Sequence, residues 1–316
     1  MKRDGAAAMR LGLIVAYFLI YFVWGSTYYF IGVALRGFPP FLLGGVRFLL
    51  AGGILLAICA ARGEKVFRKS LVKSSAISGV VLLFIDMAVI MLAQRYVTSS
   101  LVAIIASSTA IWIMALDVPM WGKNFKNPRR VLGIFAGFLG VAMLFAEQLA
   151  QASGTSAHGE YGIAILIFGC VSWALGTLYA KYGSSRAEEQ NAFAGGAWQM
   201  IFASLAFWIC ALIFGDTANF SFAEVPRAAW LSLIYLIAFG SILAYSAYIW
   251  LLKVRSATEV GTHAYVNPVV ALLLGVFVGG ERVTFLQVAG LAIILASVAL
   301  ATLSKPSLKK ISKKYE

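Results

Sequence analysis

Ten apolar stretches, each long enough to cross a bilayer, occupy most of this chain of 316 residues, and lysine and arginine fall on alternate sides of them. A helix needs about 20 apolar residues to span roughly 30 Å of hydrocarbon. The pattern places spans at 11–34, 41–61, 74–94, 98–121, 131–146, 161–180, 192–214, 228–252, 257–280 and 284–304, the fifth being the shortest. Hydrophobic residues make up 61% of the chain and charged residues only 12%. A water-soluble core would leave most of that apolar surface with nothing to bury against. The expected fold class is an all-α polytopic membrane protein of ten transmembrane helices.

The net charge of +13 is topology rather than a nucleic-acid footprint. With the amino terminus in the cytoplasm, twenty-one of the 26 basic residues fall inside: those of the N-terminal arm, the loops around Lys65, Lys126, Lys181 and Lys253, and the tail from Lys305 to Lys314. Outside lie Arg36, Arg95, Arg227 and Arg282, and Arg47 lies within a span. The positive-inside rule then puts both termini in the cytoplasm, with some attraction of the surplus charge to anionic lipid headgroups. The first apolar run is longer than a signal-peptide core and lacks a small-residue cleavage site, so it reads as a retained helix. Cys59, Cys170 and Cys210 lie in spans without a C-x-x-C pair, so neither a disulfide framework nor a metal site follows. No cofactor and no obligatory protein partner is expected.

Residues 147–160 form a polar link that divides the chain into five spans and five, giving units at 1–146 and 161–304 and a basic cytoplasmic tail at 305–316. Repetition supports the division. Trp24 with Thr27 in the first span sets against Trp173 with Thr177 in the sixth. Ser99-Ser100, Ala110 and Gly122-Lys123 set against Ala257-Thr258, Pro268 and Gly280-Glu281 at a constant offset of 158. An odd number of spans per unit means that the second enters the membrane from the opposite side. Inverted repeats of this kind suit alternating access around a site near the midplane.

The same residues resemble the EamA-domain branch of the drug/metabolite transporter superfamily. They are Trp24-Gly25-Ser26-Thr27, Pro39-Pro40 followed by Arg47-Phe48, Ser172-Trp173-Ala174-Leu175-Gly176, Tyr265-Val266-Asn267-Pro268-Val269 and Gly280-Glu281-Arg282. The resemblance covers nearly the whole chain, and the chain is similar to bacterial aromatic amino-acid and metabolite exporters. It implies a ten-helix inverted repeat in a bacterial inner membrane that moves small metabolites out of the cytoplasm. In the first half, where members often carry a Pro and a Gly-Glu pair, this chain has Ala110 and Gly122-Lys123, so the two halves are not expected to gate equally.

Asp86 is the sharpest candidate for transport chemistry. A lone carboxylate near the centre of a span costs about 2.5–3.5 kcal/mol on insertion scales. It could hold a substrate ammonium or carry a coupling proton, or it could be a neutral acid bonded to a neighbouring helix. Glu259, His263 and Asn267 share one face of the ninth span at i+4 steps. Pro268 is expected to break the hydrogen-bond ladder beside them and free carbonyls for a cavity lining. Glu259 and His263 are candidates for charge coupling, although Glu259 could lie in the headgroup zone and Asn267 could serve helix packing. Arg47 could bind a carboxylate and gate, or snorkel to the outer interface. Asp117 is expected to reach cytoplasmic water in a structural role. Trp24, Trp112 and Trp173, with Ser107, Ser108 and Thr109 before Trp112, could form a cavity for a small amphipathic solute; bundle packing is the competing reading. Trp121, Trp230 and Tyr161 fit an interfacial belt. Glycine pairs at 44–45, 52–53 and 195–196, and Gly133 with Gly137, permit close helix approach.

No phosphate-cradling loop is present, so direct use of ATP is not expected. The leading function is a secondary exporter of small organic metabolites, amino acids first, with a facilitative uniporter or a multidrug or sugar carrier as alternatives. A membrane-embedded enzyme would bring several acids, histidines or serines to one membrane face, and with only two histidines, His158 and His263, no such cluster forms.

Overall fold

A computed structural model describes residues 2–93, 96, 99–151, 159–183, 191–218, 220–279 and 284–302. The tail, residues 152–158 of the 147–160 link with His158, and Gly280, Glu281 and Arg282 lie outside the described residues. Among the described residues, all regular structure is helical. In chain order the elements are α1 (Ala7–Ala34), α2 (Pro40–Ala61), α3 (Lys69–Ala93), α4 (Ser99–Ser107), α5 (Thr109–Leu116), α6 (Trp121–Asn124) and α7 (Pro128–Leu144). They continue with α8 (Ala146–Gln151), α9 (Gly159–Tyr182), α10 (Ala192–Ile213), α11 (Arg227–Val254), α12 (Ala257–Gly261), α13 (His263–Gly279) and α14 (Phe285–Thr302).

Six of these, α1, α2, α3, α9, α10 and α11, are long and apolar enough to cross a membrane. A seventh span counts if the two segments Val102–Leu116 and Val118–Asn124, bent by 67° at Asp117, are taken as one. The outer surface is what lipid requires: Leu11, Phe135, Leu139, Phe168, Leu212 and Leu295 each leave more than half of their area exposed.

Two helix pairs pack along extended close seams, and glycine makes both possible. In the α7–α14 seam, a Cβ on Gly133 would lie 2.8 Å from the Ser297 carbonyl oxygen, and a Cβ on Gly290 would lie 2.7 Å from that of Gly140. Across α2 and α10, a Cβ on Gly52 would meet the Ala197 carbonyl at 2.9 Å, while Ser204 Oγ donates to the Gly45 carbonyl at 2.7 Å. Gly63 (φ 76°) and Gly215 (φ 75°) turn the chain in the left-handed region after α2 and α10, where a side chain would be strained.

Three spans carry π-helical segments: Leu19–Val23 in α1, Gly79–Phe84 in α3 and Leu236–Tyr245 in α11. Wider turns of this type leave backbone carbonyls out of the regular ladder and often mark functional sites. Two sequence expectations are corrected here. Helix α13 runs through Pro268 without a break, and the ninth apolar stretch is interrupted at Thr262 instead, six residues earlier. Asp117 does not reach water: it is fully buried, and Tyr182 donates to its Oδ1 at 2.9 Å.

Candidate substrate cavity

The π segments of α1 and α11 turn their aromatic residues toward one another. Trp24, just after the bulge in α1, donates through Nε1 to the Gly240 carbonyl inside the bulge of α11 at 2.9 Å. Its ring then lies 5.9 Å from Trp173, 5.1 Å from Tyr248 and 5.2 Å from His263, centroid to centroid. The circle closes with Trp173–Tyr248 at 5.7 Å, Trp173–His263 at 6.2 Å and Tyr248–His263 at 5.4 Å. Tyr245 continues the stack at 6.3 Å from Tyr248. Tyr248 shares a hydrogen bond with Thr177. The Trp173 indole N–H lies beside the Tyr248 hydroxyl without closing a hydrogen bond among the described residues. A buried donor in that condition costs roughly 1–3 kcal/mol, and an incoming acceptor would recover it.

Asp86 follows the bulge of α3. It is enclosed by protein yet only half-buried, and its carboxylate makes no hydrogen bond or ion pair among the described residues. It lies within electrostatic reach of Tyr28, Tyr248 and Cys170. Tyr28 is 50% exposed. Cys170 brings Ser108 and Thr109 to the same place: its Sγ sits beside both hydroxyls and donates to the Ile105 carbonyl at 3.3 Å.

The sequence-derived candidates therefore separate into groups. Trp24, Trp173 and His263 meet directly, with Asp86, Ser108 and Thr109 adjoining them. Trp112 packs against the main core without ring contact to the cluster among the described residues. Asn267, with its amide nitrogen facing α1, reaches the carbonyls of Ile20 (2.9 Å), Tyr21 (3.1 Å) and His263 (3.2 Å), so it satisfies carbonyls of the α1 bulge. Pro268 is buried one residue beyond it. Arg47 does not snorkel. It is 6% exposed, donates through Nε to Ser241 Oγ at 2.8 Å, and has no carboxylate partner among the described residues.

Glu259 is part of a different structure, at the end of the bundle that carries the basic loops. Arg130 pairs with it at 3.0 Å, with side chains 7% and 12% exposed, and Arg255 approaches at 3.9 Å. Arg130 Nη1 also donates to Asn124 Oδ1 (2.9 Å), Asn124 Nδ2 to Thr258 Oγ1 (3.1 Å), and Tyr21 shares a hydrogen bond with Thr262 (2.7 Å). Lys181 Nζ caps the carbonyls of Leu252 and Arg255. Of these, Arg130–Glu259, Asn124–Thr258 and Tyr21–Thr262, together with Tyr182–Asp117, tie residues before the central link to residues after it at that end.

Sequence reasoning missed Tyr28, Tyr245 and Tyr248. The signal was present: two tyrosines three residues apart, Tyr245 and Tyr248, flanking Ser246 deep inside an apolar run.

Comparison with known proteins agrees with this architecture. The model of the EamA-like transporter family matches residues 10–146 and again 160–303. The "Uncharacterized inner membrane transporter YedA" of Escherichia coli (strain K12) is 31% identical over 296 residues, covering 93% of this chain and 92% of that protein. A "Probable amino-acid metabolite efflux pump" of Salmonella typhimurium is 26% identical over 304 residues, covering 94% of each. A solved structure, titled only "Crystal structure of protein", superposes with a TM-score of 0.79 at 18% identity over 97% of this chain and 99% of that one, a likeness of fold. A family match over both halves, with a relative above 30% identity along almost the full length, makes this chain a member of the EamA-like transporter family.

Proposed function

We propose that this protein exports small zwitterionic or cationic metabolites, amino acids foremost, across the bacterial inner membrane by alternating access, with both termini in the cytoplasm. One observation carries the reading: an aromatic enclosure of Trp24, Trp173, Tyr248 and His263 beside a carboxylate, Asp86, that pairs with no cation among the described residues. Aromatic faces and a free carboxylate attract an ammonium group. Arg47, a buried guanidinium with no carboxylate partner among the described residues, is the matching attraction for an acid group.

Ten spans in two inverted units at 1–146 and 161–304 are part of the proposal, and reciprocal contacts support it. At an offset of 152, Gly45 corresponds to Ala197, Gly52 to Ser204 and Gly63 to Gly215. The Gly52–Ala197 contact thereby has its mate in Ser204–Gly45. At an offset of 157, Gly133–Ser297 is likewise the mate of Gly290–Gly140. Self-paired contacts of this kind arise around a twofold axis. The π segments of α3 and α11 also overlap at the offset of 158. The ties between the two units at the basic end fit a carrier that is not open to the cytoplasm.

The test is counterflow in proteoliposomes loaded with amino acids and with simple amines. Asp86→Asn should fold and elute as the parent does, yet lose most uptake of ammonium-bearing solutes or shift its pH dependence. Unchanged uptake at several pH values would refute the role of Asp86, and no counterflow of any solute by the parent protein would refute the carrier.

A further inference from the structure

Gln199 of α10 occupies, at the offset of 152, the place that Arg47 holds in α2. The two side chains make equivalent connections. Arg47 bonds to Ser241 in the π segment of α11, and Gln199 Nε2 donates to Ser78 Oγ, the residue just before the π segment of α3, at 2.9 Å. Tyr245 of the aromatic stack donates to Gln199 Oε1, so one buried amide links the central cluster to α3. The backbone is tightest at the same point: a Cβ on Gly79 would lie 2.3 Å from the Gln199 carbonyl oxygen.

On the basic side of this constriction the seam widens into a cavity of about 50 Å³ lined by Ser74, Ser75, Ser78, Asn191, Gln199 and Lys253. That is room for one or two waters. Ser75 is 2% exposed, lines this space and makes no side-chain hydrogen bond among the described residues. Its hydroxyl therefore waits on something that enters. Elsewhere at this end, parting the halves breaks the buried Arg130–Glu259 ion pair. Here, among the described residues, no ion pair crosses between α3 and α10, and the side-chain hydrogen bond between them is that of a neutral amide, Gln199 to Ser78.

We infer that the cytoplasmic opening forms along the α3–α10 seam, that Gln199 is its gate, and that Ser74, Ser75 and Ser78 are the first hydroxyls a small hydrogen-bonding solute meets on its way to the aromatic cluster. The inference rests on the carrier reading above and names the loading route of that site.

The test uses the full chain with Cys59, Cys170 and Cys210 replaced by Ala and with Ser75→Cys introduced, in inside-out and right-side-out vesicles. A membrane-impermeant methanethiosulfonate is the probe. Labelling is expected from the cytoplasmic face only. Adding Gln199→Leu, which keeps the bulk and removes the one amide hydrogen bond across the seam to Ser78, should raise the labelling rate about fivefold, the factor that one net hydrogen bond is worth. Equal rates with and without Gln199→Leu in protein of unchanged elution, no labelling from either face, or labelling from the outer face alone would overturn the inference. Labelling needs no substrate, so its outcome is separate from that of counterflow. A carrier with normal counterflow and an unmoved Ser75→Cys rate would sink only the gate.

Discussion

The α7–α14 seam offers a prediction whose sign can be worked from the coordinates. Gly290→Ala places a methyl 2.7 Å from the Gly140 carbonyl oxygen and 3.0 Å from the Leu144 nitrogen, whereas ordinary Cβ contacts begin near 3.4 Å. Both obstacles are backbone, so no side chain can rotate away, and the two helices must part by about half an ångström or more. A gap of that size forfeits a quarter to a half of the dispersion energy of each contact it opens. Overpacking of this kind costs about 1–3 kcal/mol, and the helix preference for Ala over Gly returns at most about 1 kcal/mol. The net expectation is a loss of about 1–2 kcal/mol. Gly53→Ala is the internal control, because a Cβ there meets nothing within 4 Å and only the helix preference remains. Thermal unfolding in detergent, read by size-exclusion, should show Gly290→Ala melting below the parent and Gly53→Ala at or above it. If Gly290→Ala melts with or above Gly53→Ala, the close approach of the seam is wrong. Gly133→Ala, its mate in the proposed twofold, should behave like Gly290→Ala.

Other expectations follow from the same geometry. Glu259→Gln strips the carboxylate from a buried Arg130, and loss of one partner of such a pair costs about 3–5 kcal/mol; Arg130 keeps its bond to Asn124, so the lower end of that range is expected in thermal unfolding, and no change would refute the pair. Tyr248→Phe removes only the hydroxyl shared with Thr177, a loss of about 1 kcal/mol in stability with the aromatic wall retained. Trp24→Phe keeps a ring but loses the hydrogen bond to Gly240, so affinity for an ammonium-bearing solute should fall roughly fivefold in a binding titration, and Trp24→Ala should weaken it further.

The membrane-spanning character of the chain was legible because it depends on run length and loop charge, both linear properties of sequence. Breaks within spans were not. Pro268 invites a kink, yet α13 absorbs it, and the interruption falls at Thr262, whose hydroxyl donates to the Glu259 carbonyl one turn back. The π segments have no composition signal at all, since Leu19–Val23 and Leu236–Tyr245 read as ordinary apolar helix. For the site, residue type identified Trp24, Trp173, Asp86 and His263, because charge and indole inside hydrocarbon are costly enough to notice. Asn267 and Glu259 carried the same signal, but their contacts differ: one amide answers carbonyls of α1, and one carboxylate answers Arg130. Polarity inside a span shows that a partner exists. It does not tell whether that partner is protein or solute.

That distinction bears on how two similar units could run a directional cycle. In an inverted repeat with identical gates, the outward-open and inward-open states would be mirror copies of equal energy, and only the solute gradient would set the flux. The gates here are not identical. The place that holds a buried, uncompensated guanidinium in α2 holds a neutral, doubly bonded amide in α10. Leaving Arg47 dry costs more than leaving Gln199 dry, because a charge loses far more hydration than an amide does. Arg47 is dry in this structure, so a conformation that admits water to it relieves a larger cost than one that admits water to Gln199. Exchanging the pair, Arg47→Gln with Gln199→Arg, should shift the resting state toward the cytoplasm-open form, raising the cytoplasmic labelling rate of Ser75→Cys in the cysteine-free background. A swapped protein that folds and labels as the parent does would show that the bias comes from elsewhere in the two halves.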